Sequence, residues 1–143
     1  MRRLVLAAVL ASAGAAGAVD APPSDDLPDL APARALIAQG DYGAAAADLS
    51  ALAERARHAD IYNLLGFSLR KLGRTDEAGR WYEQALYYDP AHRSALEYQG
   101  ELFLQIGRPD RARENLGLLA LFCPEGCEEL DDLRAAIAAA DQP

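Results

Sequence analysis

The chain has 143 residues, the length of a single domain. Hydrophobic residues make up 51% of it but aromatic residues only 7%, and the abundance of alanine favours closely packed helices over strands. The net charge of −8 argues against nucleic acid or an anionic membrane surface as a partner.

The first 18 residues have the organisation of a secretory signal peptide. Arg2 and Arg3 form a charged n-region, an apolar stretch over positions 4–15 follows, and positions 16–18 offer small residues for cleavage. Cleavage near Ala18 predicts a periplasmic or secreted protein with no stable membrane anchor. Removal of two of the 14 basic residues would leave 12 against 22 acidic ones, a net charge of −10. The alternative is an uncleaved anchor, although the apolar stretch is short for a membrane span.

Two regions follow the predicted cleavage point. Residues 19–29, VDAPPSDDLPD, combine Pro, Asp and Ser and predict a flexible leader without a core. From position 30 to position 143 the apolar residues recur with a helical period almost without interruption, which predicts one helical domain.

The helical region contains an internal repeat. The segment from Ala59 to Pro90 aligns with the segment from Arg93 to Pro124 at an offset of 34 residues, and this period is typical of stacked helix–turn–helix units. A weaker copy precedes them. Its Gly40 corresponds to Gly73 of the middle copy, and it lacks the terminal proline. The matched pairs are Gly66 and Gly100, Leu69 and Phe103, Gly73-Arg74 and Gly107-Arg108, Asp76 and Asp110, Ala78 and Ala112, and Pro90 and Pro124.

The middle copy resembles the tetratricopeptide repeat (TPR) family. Tyr62 stands where the family has Trp, Leu69 where it has Tyr, and Tyr82 where it has Phe. The resemblance implies an all-α solenoid of three repeats, at about 27–57, 59–92 and 93–124. The third copy departs from the pattern at Leu96, Gln99, Leu116 and Leu119. The middle copy carries the signature at Tyr62, Leu65, Gly66, Leu69, Ala78, Tyr82, Ala85 and Pro90.

Each helix of the middle copy has one apolar face. Gly66, Ala78 and Ala85 are small enough for two helices to approach closely where they cross. Steps of three and four residues predict one buried face made of Tyr62, Leu65, Leu69 and Leu72.

The ends of these helices also carry signals. Gly73 is expected to end the first helix in the left-handed conformation. Asp89 and Pro90 are expected to cap and open the next helix.

A last amphipathic helix is predicted at about 127–140, where it would cap the stack. This tail resembles the ending of small exported bacterial TPR proteins. Its apolar face is predicted to consist of Leu130, Leu133 and Ile137. An acidic run begins the helix, either as a solvated start that suits the helix dipole or as a patch for a cation or a basic partner. The run comprises Glu125, Glu128, Glu129, Asp131 and Asp132.

Cys123 and Cys127 are the two cysteines of the chain. Their spacing is not the CxxC of redox enzymes, and an exported protein meets an oxidising compartment, which predicts a disulfide between them. The alternatives are a soft-metal site shared with a partner and a pair of reduced, buried thiols.

No catalytic constellation is evident in the sequence. His58 and His92 are predicted to be solvated turn residues, no Ser, His and Asp can be assigned to one face, and the glycines occur singly rather than in a phosphate loop. The prediction is therefore a protein that is not an enzyme and has no cofactor or metal.

The TPR resemblance implies a concave groove, lined by the first helix of each repeat, that takes an extended peptide. Asn63 and Arg70 would hold a peptide backbone or a carboxylate, while Phe67 and Tyr98 would supply aromatic anchors. The alternative is that these positions are ordinary surface and packing residues with no role in binding. The Lys-Asn carboxylate clamp of chaperone-binding relatives is not reproduced. The positions that match groove sites are Arg34, Asn63, Phe67, Arg70, Glu97, Tyr98 and Glu101.

These features predict a protein–protein interaction module that serves as an adaptor, scaffold or assembly factor. Its partner would be a segment of another protein. The alternatives are a metal or redox accessory protein that uses Cys123 and Cys127, and a structural protein whose copies stack on one another.

Overall fold

The computed structural model describes residues 27–142, and within that range the chain forms seven α-helices and no strand. The predicted all-α helical solenoid is confirmed. The predicted signal peptide and positions 19–26 of the predicted leader lie outside the described residues. None of the described helices is long and apolar enough to cross a membrane. The helices are α1 (Ala31–Ala38), α2 (Tyr42–Ala53), α3 (Ala59–Lys71), α4 (Thr75–Tyr88), α5 (Arg93–Gln105), α6 (Pro109–Phe122) and α7 (Glu128–Ala140).

Glycines end α1, α3 and α5 in the same way. Gly73 has a φ of +77°, as predicted, and Gly40 and Gly107 take the same left-handed conformation. After α3 the N–H of Arg74 donates to the carbonyl of Leu69 over 2.9 Å, and the N–H of Gly73 donates to the carbonyl of Arg70 over 3.0 Å. This is the Schellman pattern, which satisfies carbonyls that the helix end leaves unpaired.

Histidines cap the N-terminal ends of α3 and α5, a role that the sequence pattern did not predict. The Nδ1 atom of His92 accepts the N–H of Ala95 over 3.1 Å at the start of α5. The prediction that Asp89 and Pro90 cap this helix is wrong. Asp89 instead ends α4, and its carboxylate accepts the N–H of Ala91 within the turn. Residues 89–92 form the turn between α4 and α5, so the cap of α5 is His92, three residues after Asp89.

The larger core lies among α1 to α5. Tyr82 of α4 is fully buried, and its ring fills the space over Gly66 of α3, where a Cβ atom would lie 2.8 Å from the Cε1 atom of Tyr82. The predicted face of α3 is correct for its first three members. Leu72 is 43% exposed because it is the C-terminal cap, where the chain turns away. The core residues of this cluster include Leu49, Ile61, Tyr62, Leu65, Leu69, Ala78 and Ala85.

A second, smaller core lies among α5, α6 and α7. Leu133 of α7 covers Gly100 of α5, with a Cβ built at Gly100 only 2.7 Å from both of its methyl carbons. Gly66 of the middle copy packs against Tyr82 in the second helix of its own copy, whereas the matching Gly100 of the third copy packs against the last helix, α7. The other buried members of this core are Leu96, Ala112, Leu119, Cys123, Leu130 and Ile137.

Candidate functional site on helices α3 and α5

Six of the seven predicted groove residues lie on two helices that contact each other. Asn63, Phe67 and Arg70 follow one another at steps of four and three on α3, which places them on one side of that helix. The other three, Glu97, Tyr98 and Glu101, lie on α5. We call this surface the α3–α5 face.

Aromatic rings join the two helices. The ring centroids of Phe67 and Tyr98 lie 4.9 Å apart, and those of Phe67 and Tyr42 lie 6.2 Å apart. The guanidinium carbon of Arg70 lies 5.6 Å from the centroid of Phe67 and 5.9 Å from that of Tyr98, within the range of a cation–π contact. Both rings are only partly buried, so they offer apolar surface to a partner.

Arg70 also forms an ion pair across the helices. Its Nη2 atom donates to Glu101, and the two side chains are 10% and 31% exposed. The Nε atom of Arg70 is buried and has no acceptor among the described residues. The guanidinium is thus held in place by one carboxylate and two rings.

Two further polar atoms are buried beneath the face. The Oδ1 atom of Asn63 accepts no hydrogen bond within residues 27–142, and the Tyr82 hydroxyl lies beside the Arg70 guanidinium without a hydrogen bond of normal geometry. Burial raises the pKa of Tyr82, while the charge of Arg70 and its hydrogen-bonding contact with the hydroxyl act in the opposite direction. A buried polar atom without a partner costs free energy, so such atoms in a folded protein call for an explanation.

Glu97 is the most unusual charged residue of the face. It is only 7% exposed, and none of the described residues pairs with it by a hydrogen bond or an ion pair. Burial raises the pKa of Glu97 to about 8, and the negative charges of Glu101, Asp132 and Glu129 add to the effect. The carboxyl group is therefore largely protonated at neutral pH.

Arg34, the seventh predicted position, lies on α1 rather than on α3 or α5. It is exposed, and its positive charge reaches the Tyr98 hydroxyl, where Arg34 and Arg70 both lower the pKa of Tyr98. The larger effects are burial, Glu97 and Glu101, which together raise the pKa of Tyr98.

Acidic residues of α7 also lie near this face, which their sequence pattern does not predict. Glu129 and Asp132 lie close enough to Glu97 to raise its pKa, whereas Asp131 pairs with Arg134 on another side of the helix. The acidic run is thus divided between two sides of α7. The three-residue step from Glu129 to Asp132 predicts that these two residues share one side of α7, but the sequence does not show that this side faces α5.

A polar depression of about 360 Å³ lies at the starts of α3 and α5. The Nε2 atom of His92 lies 3.1 Å from Asp60, and Ser94 lines the same depression. This is not a hydrolytic triad, because the other ring nitrogen of His92 already accepts a backbone N–H. His92, whose side chain is 12% exposed, is therefore a structural residue that links two repeats, and its prediction as a solvated turn residue is wrong.

The two cysteines lie at the junction of α6 and α7. Their Sγ atoms are 2.13 Å apart, at bonding distance, and their Cα atoms are 6.0 Å apart. The described residues contain no free cysteine. No group of three or more His, Cys, Asp or Glu side chains within residues 27–142 could hold a metal ion.

Comparison with known proteins supports the interpretation of the middle copy. A family model described as tetratricopeptide repeat matches residues 59–92, the span that contains α3, α4 and the turn before α5. No curated protein matches the chain. TPR repeats generally mediate protein–protein interaction and are typically not enzymes. The chain is therefore an all-α helical solenoid in which residues 59–92 match the TPR family.

Proposed function

We propose that this protein is a non-enzymatic interaction module that binds a segment of another protein on the α3–α5 face. The observation that carries the proposal is the group of buried, unpartnered polar atoms beside partly exposed aromatic rings. Asn63 and Arg70 supply the polar atoms, and Phe67 and Tyr98 supply the rings.

The chemistry of the face suits a peptide. A peptide carries both donors and acceptors along its backbone, so it can pair with the polar side chains that surround the two rings without a specific side chain of its own. The rings are large and nearly rigid, which makes them effective anchors at interfaces. The ion pair between Arg70 and Glu101 holds the face in one conformation before binding, which lowers the entropic cost of association.

The cellular setting is a second part of the proposal. We place the protein in the bacterial periplasm or outside the cell, on the strength of the charged, apolar and small-residue segments over positions 1–18. In that setting it would act as an adaptor, scaffold or assembly factor. Fractionation of cells that produce the full chain, with mass spectrometry of the mature N-terminus, tests this part. Mature protein that starts near Val19 is expected, and an intact N-terminus in the cytoplasm would contradict it.

Site-specific photo-crosslinking tests the binding face. A benzophenone amino acid replaces Phe67 in one variant and Tyr98 in another, and adducts formed in the producing cells are identified by mass spectrometry. Both variants are expected to capture the same partner. A third variant carries the probe at Tyr87 on α4, which is 63% exposed and lies outside the α3–α5 face.

The control at Tyr87 decides between the outcomes. A partner captured from Phe67 and Tyr98 but not from Tyr87 supports the proposed face. Capture from Tyr87 alone places binding elsewhere. Variants that fold, by helical circular dichroism, and yield no adduct from any position contradict the interaction function.

A further inference from the structure

Two hydrogen-bond acceptors without donors occupy equivalent positions in neighbouring repeats. Asn63 and Glu97 are 34 residues apart, which is the length of one repeat, and they are 4% and 7% exposed. The Oδ1 atom of Asn63 has no donor, and no described residue donates to the carboxyl group of Glu97. Because α3 and α5 contact each other, both residues belong to the α3–α5 face.

The charges around Glu97 are mostly negative. Glu101 lies on the same helix and Glu129 and Asp132 lie on α7, and all three act on Glu97. Arg70 of α3 is the positive group that acts on it, but Arg70 is already paired with Glu101, and Arg93 lies 4.0 Å from Glu129. The ionised form of Glu97 would therefore have no cation of its own among the described residues.

Aromatic surface adjoins this site. Tyr98 follows Glu97 directly, and its ring packs against Phe67, the residue one turn from Asn63. Lys and Arg side chains combine an apolar stem with a charged donor at the tip, so rings beside an acidic floor suit both parts of such a side chain.

We propose that the α3–α5 face selects a partner segment with a basic side chain, lysine or arginine, whose charged tip is held by the Glu97 carboxylate. This inference rests on the proposed function and names the chemistry of the partner. A nonpolar or acidic segment would leave Glu97 buried and unpaired.

Binding of the basic side chain is coupled to loss of a proton. In the free protein the Glu97 carboxyl group is largely protonated at pH 7, with a pKa of about 8. The incoming cation stabilises the ionised form, so the proton leaves to solvent and an ion pair forms. The other charged or titratable groups that act on Glu97 are present in both the free and the bound state. They are Glu101, Tyr98, Arg70, Glu129 and Asp132. Affinity is therefore expected to rise with pH up to about 8.

Selection from a random dodecapeptide library on the immobilised mature protein gives the first test. Peptides enriched on the wild type are expected to share a lysine or arginine at one position, and selection on Glu97→Gln is expected to lose that preference. Enriched peptides without a fixed basic residue overturn this inference but leave the proposed function standing. A library that yields no binder contradicts the proposed function itself.

Calorimetric titration with the best selected peptide gives the second test. Affinity for the wild type should increase by up to about 50-fold from pH 6 to pH 8, the change in the ionised fraction of a group with a pKa near 8. Replacement of the peptide's basic residue by norleucine should weaken binding at pH 8 by about tenfold or more.

Two protein variants complete the titration. Glu97→Gln keeps the shape of the side chain but cannot ionise, so its affinity should be low and independent of pH. The matched control is Glu83→Gln on α4, an exposed glutamate outside the face, which should behave as the wild type. A pH profile unchanged in Glu97→Gln, or equal losses in both variants, would overturn the inference.

Discussion

Replacement of Gly66 by alanine tests how tightly α3 and α4 pack. A Cβ atom at Gly66 would lie 2.8 Å from Cε1, 2.9 Å from Cδ1 and 3.2 Å from Cζ of Tyr82. The Tyr82 ring is fully buried, so it cannot turn into solvent without opening the core. The new methyl group must therefore push the two helices apart or force the ring out of its rotamer.

Two opposing effects set the magnitude. Glycine inside a helix is about 1 kcal/mol less favourable than alanine, so the substitution by itself favours the folded helix. Overpacking of a close-packed core costs about 1–3 kcal/mol. Since three ring atoms of Tyr82 are affected at once, we expect the upper part of that range and a net loss of about 1–2 kcal/mol in the free energy of unfolding.

Urea unfolding followed by circular dichroism measures this loss, and two other glycines serve as references. Gly117→Ala on α6 meets nothing within 4 Å and should stabilise the protein by about 1 kcal/mol. Gly100→Ala meets both methyl carbons of Leu133 at 2.7 Å and its Cγ at 3.3 Å, but this flexible side chain can shift more easily than a ring. Its effect should lie between the other two.

The order of the three variants is the result that matters. A Gly66→Ala protein as stable as the wild type, or as stable as Gly117→Ala, would refute the close contact between Gly66 and Tyr82. It would show that the helices have room for a methyl group at their crossing.

The remaining predictions concern ionisation, capping and the disulfide. The pKa of Glu97 is raised to about 8 from an ordinary 4.5, so the folded state holds an extra proton between these pH values and stability falls as pH rises through them, by up to about 1.4 kcal/mol per unit. Urea unfolding from pH 5 to pH 8 should show this fall, and the difference between wild type and Glu97→Gln should isolate it. His92→Ala should cost about 1–2 kcal/mol, because it removes a helix cap and a contact between repeats, whereas His58→Ala should cost less in the same assay. Replacement of Cys123 and Cys127 by serine should cost less than about 3 kcal/mol, because the closed loop is short, and should speed hydrogen exchange in α7 more than in α3.

Each of these predictions has a contradicting outcome. Equal pH slopes for the wild type and Glu97→Gln would show that Glu97 is solvated. Equal losses from the two histidine substitutions would show that the link between His92 and Asp60 adds no stability. Faster exchange in α3 after removal of the cysteines would mean that the disulfide supports the whole stack rather than its end.

Much of the fold could be predicted because each repeat carries local signals. Apolar spacing indicates the helices, Gly73 indicates where α3 ends, and small residues indicate close crossings. The prediction failed at Asp89 and Pro90, where the local pattern suits a cap but the four-residue turn moves the helix start to Arg93. The sequence did not predict either histidine cap, because histidine is an uncommon cap and its role depends on the path of the chain.

The sequence by itself determined the class of structure and the residues that define each helical face, because helical period and helix ends are local properties of the chain. The 34-residue offset also determined that Asn63 and Glu97 occupy equivalent positions. Only the tertiary structure decided that Glu97 is buried without a partner, that α7 brings Glu129 and Asp132 toward it, and that His92 reaches Asp60 across repeats. These facts depend on how one helix packs against another, and burial and electrostatic fields arise from residues far apart in the chain.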